Sequence, residues 1–252
     1  MSRAFVVVGT PCFGGLVGHG YMNSIVQLMA YARGAGVDMG LNLLASDALI
    51  TRGRATIVGA FLDNPTATHL LFVDADISFA PDQFARVLAF DQDVVAAPYP
   101  VKALKWNEIP ARHVNLQEPL DEAGLVYVGK CATGSELKTR DGFATAEYVG
   151  TGFMLIKRSV IERMIQAYPE TKFRTLPSFP PTAVSSENLY ALFECMIDKD
   201  TGEYISEDYA FCRRWRALGG EIWLDTTARL THSGSYDFKG NAAKRYAAEL
   251  KI

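Results

Sequence analysis

Leu70-Leu71-Phe72-Val73-Asp74-Ala75-Asp76 decides the reading of this chain: four apolar residues run into two acids spaced by one residue. An uninterrupted apolar run of this length predicts a strand buried on both faces, as found inside parallel sheets. Side chains two apart on a strand share a face, so the spacing predicts two carboxylates presented together at the strand's carboxyl end. Such hard oxygen ligands suit magnesium or manganese, which bind through one or two carboxylates and complete their shell with substrate phosphates. The residues alone therefore point to a metal-assisted enzyme acting on a phosphorylated substrate. The competing reading is that both acids merely open a turn, as Asp often does.

The same alternation extends in both directions. Upstream, Phe5 to Val8 is an apolar run stopped by Gly9-Thr10-Pro11, and Tyr21 to Arg33 has helical spacing with Ile25, Leu28 and Met29 on one face. Met39 to Leu44 reads as a second strand, and Ser46 or Asp47 is placed to cap a helix from about Ala48 to Leu62. Downstream, Pro81 opens a helix continued by Phe84, Val87 and Leu88, and Asp93 to Ala97 is a strand ended by Pro98-Tyr99-Pro100. This pattern predicts an α/β fold with a doubly wound, mainly parallel sheet, whose ligands collect at the carboxyl ends of its strands. Residues 101 to 147, with strand candidates such as Leu125 to Val128, predict a small β-rich insertion over that edge. Tyr148 to Ile156 reads as a strand carrying Gly150 and Gly152, Ser159 to Tyr168 and Asp208 to Leu218 as helices, and Glu221 to Leu224 as a strand. Thr171 to Ser186, with three prolines and little periodicity, is expected to be a mobile loop and a candidate lid.

With 252 residues and no linker-like stretch, one domain over 1–252 is expected. Hydrophobic residues at 49% and charged residues at 21% match an ordered globular chain. A formal charge of −3 without a dense Lys/Arg block disfavours a nucleic-acid partner. The N-terminal apolar run is too short for a signal peptide, and no stretch of about 18 apolar residues occurs, so no transmembrane segment and a cytoplasmic location are expected. Cys12, Cys131, Cys195 and Cys212 are too scattered for a zinc site or a disulfide framework and read as free thiols. The glycine-rich loop from Cys12 to Gly20 has neither dinucleotide-fingerprint spacing nor a Gly-Lys-Ser/Thr phosphate loop.

Four segments in order, Phe5 to Pro11, Asp74-Ala75-Asp76, Ser206-Glu207-Asp208 and His232, resemble the GT-A nucleotide-sugar glycosyltransferases of the family-2-like type. The resemblance implies a nucleotide-binding half over about 1–100 and an acceptor-binding half over about 101–252. It makes Asp74-Ala75-Asp76 the DxD motif against the donor, with Asp76 and its companion Asp74 on a divalent metal, Mn²⁺ or Mg²⁺, that His232 completes. It makes Asp208 the base that deprotonates the acceptor in an inverting reaction, with Glu207 the runner-up; capping of the following helix by Ser206 and its acids is the plainer account. Thr10, Pro11, Asp47 and Arg52 fall where related enzymes hold the nucleotide, the forked guanidinium of Arg52 being suited to a diphosphate. Lys102 is placed to touch phosphate and Trp106 to stack on a sugar, although both positions also suit ordinary packing or surface. Gly152 and Thr151 correspond to the segment where donor and acceptor approach the backbone, unless the glycines mark a strand bulge.

By this resemblance the partners are a UDP- or GDP-linked sugar donor and a glycan or lipid-linked acceptor, as in polysaccharide biosynthesis. The last amphipathic helix, Ala242 to Leu250, lies among Lys239, Lys244, Arg245 and Lys251, a set suited either to the inner face of a membrane or to solvent. Two rivals remain: a sugar-phosphate nucleotidyltransferase, which would usually carry a basic residue directly after the first strand, and a catalytically silent nucleotide-sugar-binding protein.

Overall fold

The apolar run before the acid pair is a strand with both faces buried. Leu70 and Phe72 enter one core cluster, Leu71 and Val73 the other. The computed structural model describes residues 3–45, 47–174 and 186–250. In chain order, β1 (Phe5–Cys12), α1 (His19–Ala35), β2 (Asp38–Ala45), α2 (Ile50–Asp63) and β3 (His69–Val73) come first. They are followed by β4 (Ile77–Ser78), α3 (Pro81–Ala89), β5 (Val94–Ala96), β6 (Pro100–Leu104), α4 (Ile109–Leu116) and α5 (Leu120–Ala123). Next come β7 (Leu125–Tyr127), β8 (Lys130–Cys131), β9 (Thr139–Arg140), β10 (Phe143–Tyr148), β11 (Phe153–Lys157) and α6 (Arg158–Ala167). The chain continues through β12 (Met196–Ile197), β13 (Tyr204–Ile205), α7 (Glu207–Ala217), β14 (Ile222–Asp225), β15 (Thr231–Ser233), β16 (Asp237–Lys239) and α8 (Ala242–Leu250).

The main sheet runs β2-β1-β3-β11-β5-β14-β10-β8, with β9 on β10. Strands β2, β1, β3, β5 and β14 share one direction, whereas β11 is antiparallel between β3 and β5 and β10 is antiparallel to β14. The fold is thus a mixed α/β architecture on a mainly parallel central sheet. Helix α1 covers one face through Tyr21, Ile25 and Leu28, and α2 the other through Ile57, Val58 and Phe61. Each such buried side chain contributes about 1.5–3 kcal/mol, so apolar burial fixes where the strand ends lie. Helix α2 crosses β1 closely at Gly9, where an added Cβ would stand 2.4 Å from Ile57 Cγ2.

Several expectations are corrected. The strand expected over 148–156 is two elements, because the chain turns through 149–152 between β10 and β11. The insertion after Val101 is not simply β-rich: it contains α4 and α5, and its last strand, β10, joins the main sheet. Leu49, not Asp47, takes the N-cap position of α2; Asp47 acts one turn earlier, its Oδ1 accepting the Leu49 N–H at 2.9 Å. Ser46 and residues 175–185 of the expected lid lie outside the described residues. In α8, Arg245 turns inward to Glu118 and the Leu125 carbonyl instead of joining a basic surface. No described helix is long and apolar enough to cross a membrane.

Candidate functional site

Strand β3 stops at Val73, and the acid pair sits in the turn that follows. The Asp74 N–H donates to the Gly152 carbonyl at 3.2 Å, the Ile77 N–H returns to the Asp74 carbonyl at 3.0 Å, and the Gly18 N–H donates to the Ala75 carbonyl at 2.7 Å. The acids lie beyond the last strand residue, so the strand rule that would align their carboxylates does not apply, and each has its own partners. Asp74 meets Arg54, which reaches across from α2. Arg54 Nη2 donates to Asp74 Oδ1 at 3.1 Å, its Nε donates to Glu207 Oε1 at 3.3 Å, and the guanidinium lies over the Phe72 ring, 5.4 Å from its centroid. Arg54 is only 3% exposed, a burial that a guanidinium tolerates when carboxylates face it. Its Nη1 has no hydrogen-bond partner among the described residues.

Asp76 belongs to a second cluster. Strand β4 pairs with β15 so that His232 lies opposite Ile77, the residue after Asp76. His232 Nε2 stands 3.3 Å from Asp76 Oδ1, its Nδ1 is 2.8 Å from the Pro100 carbonyl, and Lys102 Nζ donates to Asp76 Oδ2. A carbonyl only accepts, so Nδ1 carries a proton and Nε2 is the nitrogen turned toward the carboxylate. Burial by itself would raise the Asp76 carboxyl, but His232 and Lys102 outweigh it and hold it at about 2.

Helix α7 brings the third group of acids. Ser206 occupies its N-cap position without a side-chain cap bond; its hydroxyl donates instead to Asp208 Oδ1, which also accepts the Tyr209 N–H at 2.9 Å. Burial, and then the adjacent Glu207, push the Asp208 carboxyl above the usual range against the pull of Ser206. Glu207 is tied to Arg54, and Asp208 holds its proton to higher pH than an ordinary Asp.

Tyr99 closes this region. Its hydroxyl accepts the Gly152 N–H at 3.2 Å, and its phenol, buried and near Asp74 and Asp208, is raised well above its ordinary value and stays neutral. An added Cβ at Gly152 would stand 2.5 Å from Tyr99 Cζ, and one at Gly150 2.4 Å from its hydroxyl. Tyr99 therefore stands against the space these glycines leave, which the sequence had offered either to substrate or to a strand bulge.

Thr10 is fully buried, its hydroxyl 2.6 Å from that of Tyr21, and Pro11 is half-buried beside it at the end of β1. Arg52 makes a two-pronged contact with Asp47, both bonds at 2.8 Å. Thr151 is buried in the 149–152 turn with no partner for its hydroxyl among the described residues. Trp106 lies in a short turn and is 70% exposed.

For a divalent cation, Asp76 and His232 fit as a pair: the imidazole is oriented by a backbone carbonyl through its other nitrogen, the usual support for a metal-ligating His. Asp74, the third expected ligand, has its Oδ1 bonded to Arg54. Among the described residues no group of three or more His, Cys, Asp or Glu is arranged to hold a metal ion, so a cation would need ligands from substrate.

Sequence reasoning missed Arg54 and Tyr99. A signal for Arg54 existed: it stands three, four and seven residues before Ile57, Val58 and Phe61, on the apolar stripe of α2. A cation on that stripe requires buried anions, whereas Arg52 lies off it. Nothing in the sequence distinguished Tyr99 from other aromatic residues.

The fold and the site define a mixed α/β architecture with two acid-bearing segments, the 74–76 turn and the start of α7, gathered at the carboxyl end of a mainly parallel sheet. No family model and no curated protein matches this sequence. Solved structures similar to it include A197 from STIV, at 13% identity over 92% of this chain and 86% of that one, with a TM-score of 0.49. Another is a glycosyltransferase involved in the glycosylation of the major capsid of PBCV-1, at 9% identity over 73% and 79%, TM-score 0.34. A third is 4-diphosphocytidyl-2C-methyl-D-erythritol synthase from Anaerococcus prevotii, at 12% over 85% and 99%, TM-score 0.37. At these identities and TM-scores none of the likenesses assigns a reaction to this chain.

Proposed function

We propose that this chain is a glycosyltransferase of the GT-A type that moves a sugar from a UDP- or GDP-linked donor to a hydroxyl of a glycan or lipid-linked acceptor. The observation that carries the proposal is the pairing of an Asp76–His232 contact suited to a cation with a separate, proton-hungry Asp208. Asp76 and His232 would hold Mn²⁺ or Mg²⁺, which, when bound, supplies the positive charge that stabilises a departing nucleoside diphosphate. Lys102 adds an ammonium beside the same carboxylate, in position to meet a phosphate oxygen. Arg54 keeps Asp74 and Glu207 at fixed positions, which leaves Asp208 to accept the acceptor's hydroxyl proton as the new glycosidic bond forms. Its raised affinity for a proton makes it a better base than an ordinary Asp.

The test is Asp208→Asn. Turnover should fall by about 10²–10⁴-fold, the usual worth of a general base, with donor affinity retained, whereas Asp76→Ala should weaken donor binding. The wild-type rate should rise with pH through a limb lying above the range of an ordinary Asp, because a raised carboxyl keeps its proton to higher pH and only the ionised form accepts another. Normal turnover by Asp208→Asn would remove the assigned base. Release of pyrophosphate from a nucleoside triphosphate and a sugar phosphate, without sugar transfer, would replace the proposal with nucleotidyl transfer.

A further inference from the structure

A cleft outside the acid clusters is built partly on the same elements that carry them. Its volume is about 710 Å³, within the range of small-molecule sites. Tyr148, one of its walls, ends β10 and leads into the 149–152 turn, whose Gly152 carbonyl accepts the Asp74 N–H. Tyr204 in β13 and Tyr209 in α7 form other walls and bracket Ser206-Glu207-Asp208. Tyr148 and Tyr209 pack with ring centroids 4.0 Å apart at 34°, and Tyr204 is 71% exposed. Three tyrosines thus give one cleft flat apolar faces with hydroxyls at their edges.

The charges in the cleft are balanced. Lys130, Arg213 and Arg216 face Glu147, Asp198 and Glu203. Lys130 is paired with Glu147 at 2.6 Å, Arg213 with Asp198, and Arg216 with Glu136 at 2.6 Å. All three cations already have an anion, so a phosphate or carboxylate ligand would have to displace an existing pair. A neutral polyhydroxylated ring needs no such exchange: its C–H face lies on an aromatic ring and its hydroxyls exchange hydrogen bonds with the paired ions.

We infer that this cleft binds an uncharged saccharide, stacked on Tyr204 with Tyr148 and Tyr209 behind it. As the acceptor's seat the inference rests on the proposed sugar transfer; as a saccharide site it does not.

Saturation-transfer NMR on the full chain without nucleotide tests it, using methyl glucoside, methyl galactoside, methyl mannoside, N-acetylglucosamine and lactose, with inorganic phosphate and glucose 1-phosphate as charged comparisons. At least one neutral sugar should receive saturation on its ring C–H protons. Tyr204→Leu should weaken that binding about tenfold, the upper worth of an aromatic contact, while Tyr204→Phe retains it. Unfolding midpoints of both variants establish that they are folded, and the exposure of Tyr204 makes this the expected result. No transfer to any neutral sugar, equal transfer in Tyr204→Leu, or preferential binding of the phosphates would overturn the inference. Saccharide binding without any sugar transfer would instead overturn the proposed reaction and leave the cleft standing. Sugar transfer that ignores Tyr204 would do the reverse.

Discussion

The two acids of one turn, Asp74 and Asp76, belong to clusters built on opposite principles. Around Asp74 the central charge is dry: the Arg54 side chain is 4% exposed and joins acids from β3's end and from α7, far apart in sequence and themselves 27% and 15% exposed. Around Asp76 the charges are wet, with Asp76 and Lys102 keeping 37% and 39% of their side chains exposed. In a dry environment, removing an acid strands the buried guanidinium without water, so the arrangement persists as a unit. In a wet one the same contact is worth at most about 1 kcal/mol, and either partner can be exchanged. The two acids are therefore not equivalent: Asp74 is part of a fixed frame, and Asp76 is free to trade Lys102 for another cation or for a ligand's donors.

The largest effect should come from breaking the frame. Arg54→Ala takes the shared cation from Asp74 and Glu207 and removes a buried side chain packed on Phe72, and should cost about 3–5 kcal/mol of stability, read from urea unfolding. A cost no greater than that of a surface pair would erase the distinction between the clusters. A smaller effect should come from the roof of the same frame. Gly152→Ala places a methyl against the Tyr99 ring, which is itself buried, and should cost about 1–3 kcal/mol by overpacking. If Gly152→Ala unfolded like the parent protein while donor binding were lost, the glycine would be clearing space for ligand after all.

The smallest effect belongs to the wet cluster. Lys102→Ala should change stability by at most about 1 kcal/mol, and should raise the affinity of Mn²⁺, titrated by calorimetry, by freeing Asp76 Oδ2. A large stability loss in Lys102→Ala would show that this pair, too, is structural.

Much of this frame could be read from the chain. The unbroken run Leu70 to Val73 required a two-faced burial, and Pro81, Pro98 and Pro100 bounded elements where the backbone had to change course. The spacing of Asp74 and Asp76 was legible as well, but its meaning was not. The strand rule that puts i and i+2 on one face applies only while the strand lasts, and β3 ends at Val73. Likewise Gly150 and Gly152 announced a close approach without saying whose; the neighbour proved to be Tyr99, about fifty residues earlier. Arg52 and Arg54 looked interchangeable until the apolar stripe of α2 was followed through Ile57, Val58 and Phe61, which puts Arg54 inside.

The amino-acid sequence alone determined the α/β class and the succession along the chain of β1, β2, β3, β5, β14 and the acid-bearing segments, because periodicity and chain breaks are local properties. Which acid meets which cation was settled only in three dimensions. Arg54 finds Glu207 across 153 residues because α2 and α7 pack on the same face of the sheet, and His232 finds Asp76 because β15 pairs with β4. Electrostatic partnership depends on distance and dehydration, and neither exists until the apolar core has brought the elements together.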